Sequence, residues 1–131
     1  ELRETLAAVA VATAPLPRFE DKAVEAALLC LERLEGSVVD HLIRHDPASV
    51  LPLLTTEAGP LIALARSAIA PQLLRAGVAT DPDQAAIAAE TMARLGLSFV
   101  LTRDTVVPIG DPEALRRAAE DLVRPLVRPV A

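Results

Sequence analysis

Hydrophobic positions along this chain recur at three- and four-residue steps, interrupted repeatedly by proline, glycine and aspartate. That spacing gathers apolar side chains on one face of a helix, whereas a half-buried strand would alternate with a period of two. No alternating stretch competes, so the pattern predicts an all-α chain, a multi-helix bundle of about seven to nine helical pieces counted from their stop signals.

Segment 2–13 is alanine-rich and free of proline until Pro15 and Pro17 stop it. Phe19, Glu20 and Asp21 open a second helix, in which Val24, Ala27, Leu28, Leu31 and Leu34 form an apolar stripe running to about Gly36. Ser37 is placed to cap a short helix over 37–45, which Asp46-Pro47 closes. Asp46 in turn caps PASVLPLLTT, where Pro52 predicts a helix that is short, kinked or irregular near its start. Gly59-Pro60 marks a break before LIALARSAIAPQLLRAGV, which Pro71 should bend and Gly77 should end.

The stretch 81–102 has the clearest beginning. Asp81 stands at an N-cap, Pro82 at the first helical position and Asp83 in the first turn, where negative charge suits the helix dipole. Ala85, Ala88, Met92, Leu95 and Phe99 follow helical spacing on one face, and Ile87, Thr91, Arg94, Ser98 and Leu101 follow it on another. A helix without a single dry face is covered on two, so the pattern predicts a core helix that also forms a subunit interface. After a loop over 103–110, Asp111-Pro112-Glu113 repeats the start signal. Leu115, Ala118, Ala119, Leu122 and Leu126 then form the last stripe, ended by Pro125 and Pro129.

Composition narrows the possible functions. The 131 residues suit one domain, and hydrophobic residues make up 52% of them but aromatic ones only 2%, so the core is built from Ala, Leu, Val and Ile. Phe19 and Phe99 are the only phenyl rings, which argues against single-strand nucleic-acid binding by stacking. The net charge of −5 argues against a basic DNA footprint. Cys30, alone and in the apolar run AALLCL, is expected to be buried in a chain from a reducing cytoplasm. No apolar run reaches the roughly 18 residues of a membrane span, so no membrane partner is expected. The mean hydropathy of +0.38 then points to extra buried surface in a dimer. Because the chain starts at Glu1 without a methionine and already in helical pattern, its start is expected to be cut, with no signal peptide visible.

Motifs with chemistry are few. His41 and His45 are four residues apart on one helical face with Asp40 and Asp46 beside them, a spacing that could serve zinc, but no third ligand is identifiable and no metal or other cofactor is expected. Alternatively His41 offers one polar contact to a cavity. Ser37, Ser49, Ser67 and Ser98 lack a nucleophile-elbow or Ser-x-x-Lys setting, and the five glycines are scattered, so no enzyme is expected. Arg94 lies in an apolar neighbourhood, where a buried arginine would need a carboxylate; Glu90, four residues earlier, is the candidate. The prolines of 47–77 bend helices and leave space beside Leu53, Leu54, Leu61, Leu64, Ala65 and Ala68 for an apolar ligand. His41, Thr55, Thr56 and Arg66 are the polar positions near that region.

The last third resembles the closing two helices of TetR-type transcriptional regulators. The resemblance rests on a small-residue helix entering Arg94-Leu95-x-Leu97-Ser98-Phe99-x-Leu101-Thr102, an eight-residue loop, and Asp111-Pro112-x-Ala114-Leu115-Arg116. It implies a homodimeric effector domain over 1–131, dimerising through its last two long helices, with the preceding helices enclosing a pocket for a small apolar molecule. The implied pocket residues are Leu28, Leu31, His41, Leu54, Leu61, Leu64, Ala68, Met92, Leu95 and Phe99. The implied interface comprises Ile87, Thr91, Arg94, Ser98 and Leu101 with Leu115, Ala118, Ala119, Leu122 and Leu126. Operator DNA would be met only by an N-terminal helix-turn-helix domain, which this sequence lacks, and 1–13 would be the remnant of the connecting helix. The rival readings are a helical oligomerisation module without ligand, and a small metalloprotein using His41 and His45.

Overall fold

The computed structural model describes residues 2–127, and the side chains of all of these except Leu2, Glu20, Ala119 and 122–127. Its helices are α1 (Leu2–Thr13), α2 (Phe19–Leu34), α3 (Val38–His45), α4 (Pro47–Leu54), α5 (Gly59–Arg75), α6 (Pro82–Leu101) and α7 (Pro112–Val127). Among the described residues there is no strand, and the chain is all-α as its periodicity predicts.

Local chemistry explains several helix ends. The Ser37 hydroxyl accepts from the Asp40 N–H at 3.1 Å, and Asp81 Oδ1 accepts from the Gln84 N–H at 2.9 Å. Gln84 reaches back to the Thr80 N–H at 2.8 Å, so two otherwise unpaired donors are satisfied reciprocally. Asp111 Oδ1 accepts from the N–H groups of Glu113 and Ala114 in the same way before α7. At the end of α5, Gly77 adopts φ +69°, a left-handed conformation that suits glycine. Its N–H reaches the Leu74 carbonyl while Val78 N–H reaches Leu73, which closes the helix end with backbone bonds. Asp46 behaves differently from its expected capping role: its carboxylate takes the Ser49 hydroxyl at 2.6 Å and no backbone N–H of α4.

Proline effects divide by position. Pro52 lies near the end of the eight-residue α4, not near its start, and α5 continues through Pro71 as one helix. The larger change of direction falls between them, where α4 and α5 meet at 51°. No single helix among the described residues is long and apolar enough to cross a membrane.

The core lies on the seam of α5 and α6. Leu73, Ala85, Ala88 and Ala89 are almost wholly buried there, together with Phe19 from the first turn of α2 and Ala79 from the loop. Ala23, Ile69, Ala70, Val78 and Met92 pack around them. On the other side, α1 packs on α2 and α2 on α7. Ion pairs Arg18–Glu120 at 3.0 Å and Arg116–Asp21 at 3.1 Å join α2 to α7. Lys22 Nζ donates to the Thr13 carbonyl at 2.7 Å, placing a cation at the C-terminus of α1.

Two burial expectations are corrected. Cys30 is exposed, because it falls off the inward stripe of α2. Arg94 is also exposed, its side chain retaining 62% of its accessible surface, although Glu90 is indeed its partner at 2.9 Å. Apolar neighbours in sequence surround a helical residue on all sides, so they do not fix which way it faces.

Candidate functional site

The C-terminal half of α6 forms one wall of a groove of about 300 Å³. Leu97 and Leu101 line it from α6, and Leu54, Ala58 and Ile62 from the bent junction of α4 and α5. Ala58 and Ile62 are buried and form its floor. Thr55, Arg94, Ser98 and Thr102 supply its polar atoms. The groove exists because the 51° bend turns the chain aside where α6 carries large aliphatic side chains.

The charged groups around it are anchored. Glu90 accepts from Arg94 on its own helix and from Arg66 of α5 at 2.7 Å, so it bridges the α5–α6 seam. The hydrogen bonds from Arg94 and then Arg66 hold its carboxyl below the usual pKa, against a smaller opposing effect of desolvation. At the other end, Arg103, next in sequence to the groove residue Thr102, lies 3.8 Å from Asp40. Asp40 is buried at the start of α3, accepts from the Gly36 N–H at 3.0 Å and pairs with Arg44 at 3.2 Å. The Gly36 N–H first, then Arg44 and Arg103, hold this carboxyl low as well. Asp40 thus connects the α2–α3 turn to the loop leaving the groove.

The residues singled out from sequence fall in several places. Of those expected at a ligand pocket, Leu54 lines the groove, and Met92 packs on the core. Leu28, Leu31, Leu61, Leu64, Ala68 and Phe99 are half-buried and do not line it, whereas Leu95 is 47% exposed. His41 is exposed, its ring centroid 4.5 Å from that of His45. No group of three metal-capable side chains occurs among the described residues.

Of the residues expected at an interface, Arg94, Ser98 and Leu101 line the groove. Ile87 is 70% exposed near the start of the same helix face, and Thr91 is half-buried. Leu115 and Ala118 on α7 are half-buried, and the side chains of Ala119, Leu122 and Leu126 lie outside the described residues.

Ala58, Ile62, Leu97 and Thr102 are groove residues that the sequence reading did not assign to a site, although Leu97 and Thr102 belong to the motif that carries the family resemblance. A signal was present in part: Ala58 and Ile62 share a helix face across the Gly59-Pro60 break, as do Leu97 and Leu101.

An apolar floor with hydroxyls and a neutralised guanidinium suits a small, mostly apolar molecule. No histidine or carboxylate side chain is among the residues that line the groove.

No curated protein and no solved structure matches the chain. A family model described as bacterial tetracyclin repressor, C-terminal domain, matches residues 8–128, from within α1 to just past α7. With that match running through all seven described helices, the chain belongs to the bacterial tetracyclin repressor C-terminal domain family.

Proposed function

We propose that this chain is the ligand-sensing and homodimerisation domain of a cytoplasmic TetR-like transcriptional repressor. In this reading a helix-turn-helix domain N-terminal to α1 contacts operator DNA, and the acidic chain itself does not. The observation that carries the reading is that α6 serves two surfaces of a family member at once. Toward its C-terminal end Leu97 and Leu101 form a groove wall, while toward its N-terminal end Ile87, on the same helical face as Thr91 and Leu101, leaves a large aliphatic side chain in water. A second copy covering the Ile87 end of α6 would remove this exposed surface, and α7 beside α6 would complete a four-helix contact.

The effector class follows from the groove lining: a small apolar molecule with one or two hydrogen-bonding atoms for Thr55, Ser98 or Thr102. Binding regulates only if one arrangement of the helices takes the ligand better than another. The groove sits on the α4–α5 bend and next to the Arg103–Asp40 contact, so occupancy can bias the α2–α3 turn and, through α2, the position of α1.

Native mass spectrometry of the purified chain, followed by titration with the neutral apolar dye Nile red, tests both halves. The expected result is a dimer that binds the dye saturably. Ile87→Glu should give a folded monomer, and Leu97→Arg should abolish dye binding without changing subunit number. A wild-type monomer would sink the dimer reading. A dimer without saturable dye binding would leave an oligomerisation module in its place.

A further inference from the structure

A second opening, of about 420 Å³, lies among α1, α2 and α5 and shares no lining residue with the groove. Ala10, Ala14, Pro17 and Ala76 give it an apolar wall, and its polar side chains are Lys22, Gln72 and Arg75. No carboxylate lines it, although the chain has 18 acidic residues against 13 basic ones.

The two cations are not both consumed by the helix ends beside them. Lys22 donates to the Thr13 carbonyl, which uses one of three ammonium protons. Arg75 closes α5, but the last carbonyls of that helix already take backbone N–H groups: Gln72 from Ala76, Leu74 from Gly77, and Leu73 from Val78 and Ala79. Arg75 also forms no ion pair among the described residues. A guanidinium with a full set of donors, an ammonium with protons to spare and an amide therefore converge on one space beside an aliphatic wall.

We propose that this opening is a second ligand site, selective for an amphipathic monocarboxylate. The carboxylate bridges Lys22 and Arg75, with Gln72 as a further donor, and the hydrocarbon part lies against Ala10, Ala14, Pro17 and Ala76. Charge-assisted bonds to the guanidinium supply the selectivity, since a neutral head group offers it no charge to pair with. Such a ligand ties the α1–α2 turn to the end of α5. It thereby bridges the α1–α2 layer and the α5–α6 seam at a place where the protein itself has no ion pair among the described residues.

The test is a ¹H–¹⁵N NMR titration of the whole chain with octanoate and, in parallel, with octan-1-ol. Octanoate should bind saturably and shift the amides of Ala14, Lys22, Arg75 and Gly77, while octan-1-ol leaves them unmoved. Arg75→Gln and Lys22→Gln should each weaken octanoate by roughly tenfold or more, the loss expected for one charged hydrogen bond. Arg75 is exposed, and glutamine at 22 keeps a donor for the Thr13 carbonyl, so both variants should keep the wild-type spectrum. The proposal is overturned if octanoate does not saturate, if octan-1-ol shifts the same amides equally, if neither substitution weakens binding, or if the shifts map to Leu54, Ile62 and Leu97. The last outcome would assign octanoate to the first groove, leaving the sensor reading intact and this one discarded.

Discussion

The two halves of α6 meet the rest of the protein with side chains of different size, and they end in different surfaces. In the first half Ala85, Ala88 and Ala89 sit at 0, 2 and 0% exposure against Leu73 of α5. Methyl side chains let that surface close against its neighbours around Leu73 and Phe19. In the second half Leu97 and Leu101 face the bend between α4 and α5, and the surfaces part into a groove. Both halves are apolar, so hydropathy does not separate core from site on this helix. Side-chain volume and the direction of the opposing chain do.

Substitutions should expose that difference. Leu73→Ala removes the one large side chain that is fully buried among the described residues and should cost about 2–5 kcal/mol, read from urea unfolding. Ala88→Leu forces extra volume into the same seam and should cost about 1–3 kcal/mol. The matching change at the open end, Leu97→Ala, should cost less, about 1–2 kcal/mol, because Leu97 is only partly buried and its removal at an open groove leaves no closed cavity. If Leu97→Ala were as damaging as Leu73→Ala, the two halves would be one continuous core, and the groove would have no special status.

The smallest effect is on pH dependence. The folded pKa of Glu90 and of Asp40 lies below the unfolded value. Between those two values the folded state therefore binds fewer protons than the unfolded state, and stability rises with pH. The contribution is complete above the ordinary carboxylate value and is lost as pH falls through the lowered one. Thermal unfolding of Glu90→Gln and Asp40→Asn from neutral pH down to about pH 3 should therefore show a shallower acid loss than wild type. An unchanged slope in Glu90→Gln would mean that the Arg66–Glu90–Arg94 cluster does not couple α5 to α6 in solution.

The helix boundaries were legible because their causes are local. Ser37, Asp81-Pro82, Asp111-Pro112 and Gly77 act on backbone groups within a few residues, so the sequence carries the whole interaction. Asp46 escaped because a nearby hydroxyl, Ser49, competed for the same carboxylate. The all-α fold and its family likeness were legible too, since each depends on periodic or ordered motifs.

Which way residues face was less legible. Cys30 and Arg94 each have apolar neighbours in sequence, yet both face water, because facing is decided by helices distant in the chain. The groove is the clearest case. Its walls come from positions 54–62 and 94–102, and the angle across residues 55–58 sets one against the other. Proline announced that a bend would occur, but not what would lie opposite it.

The paired charges between α2 and α7 have a mechanical meaning. Arg18 faces Glu120, and Asp21 faces Arg116, so the signs alternate along two antiparallel edges. Sliding α7 by one turn in one direction would set Arg18 toward Arg116 and Asp21 toward Glu113; in the other, Asp21 would meet Glu120. Either slip puts like charge against like. Each exposed pair adds little to stability, on the order of 0–1 kcal/mol. Together they work like the shallow teeth of a key, favouring one setting of α7 against α2 over its neighbours by the sign of the charges alone.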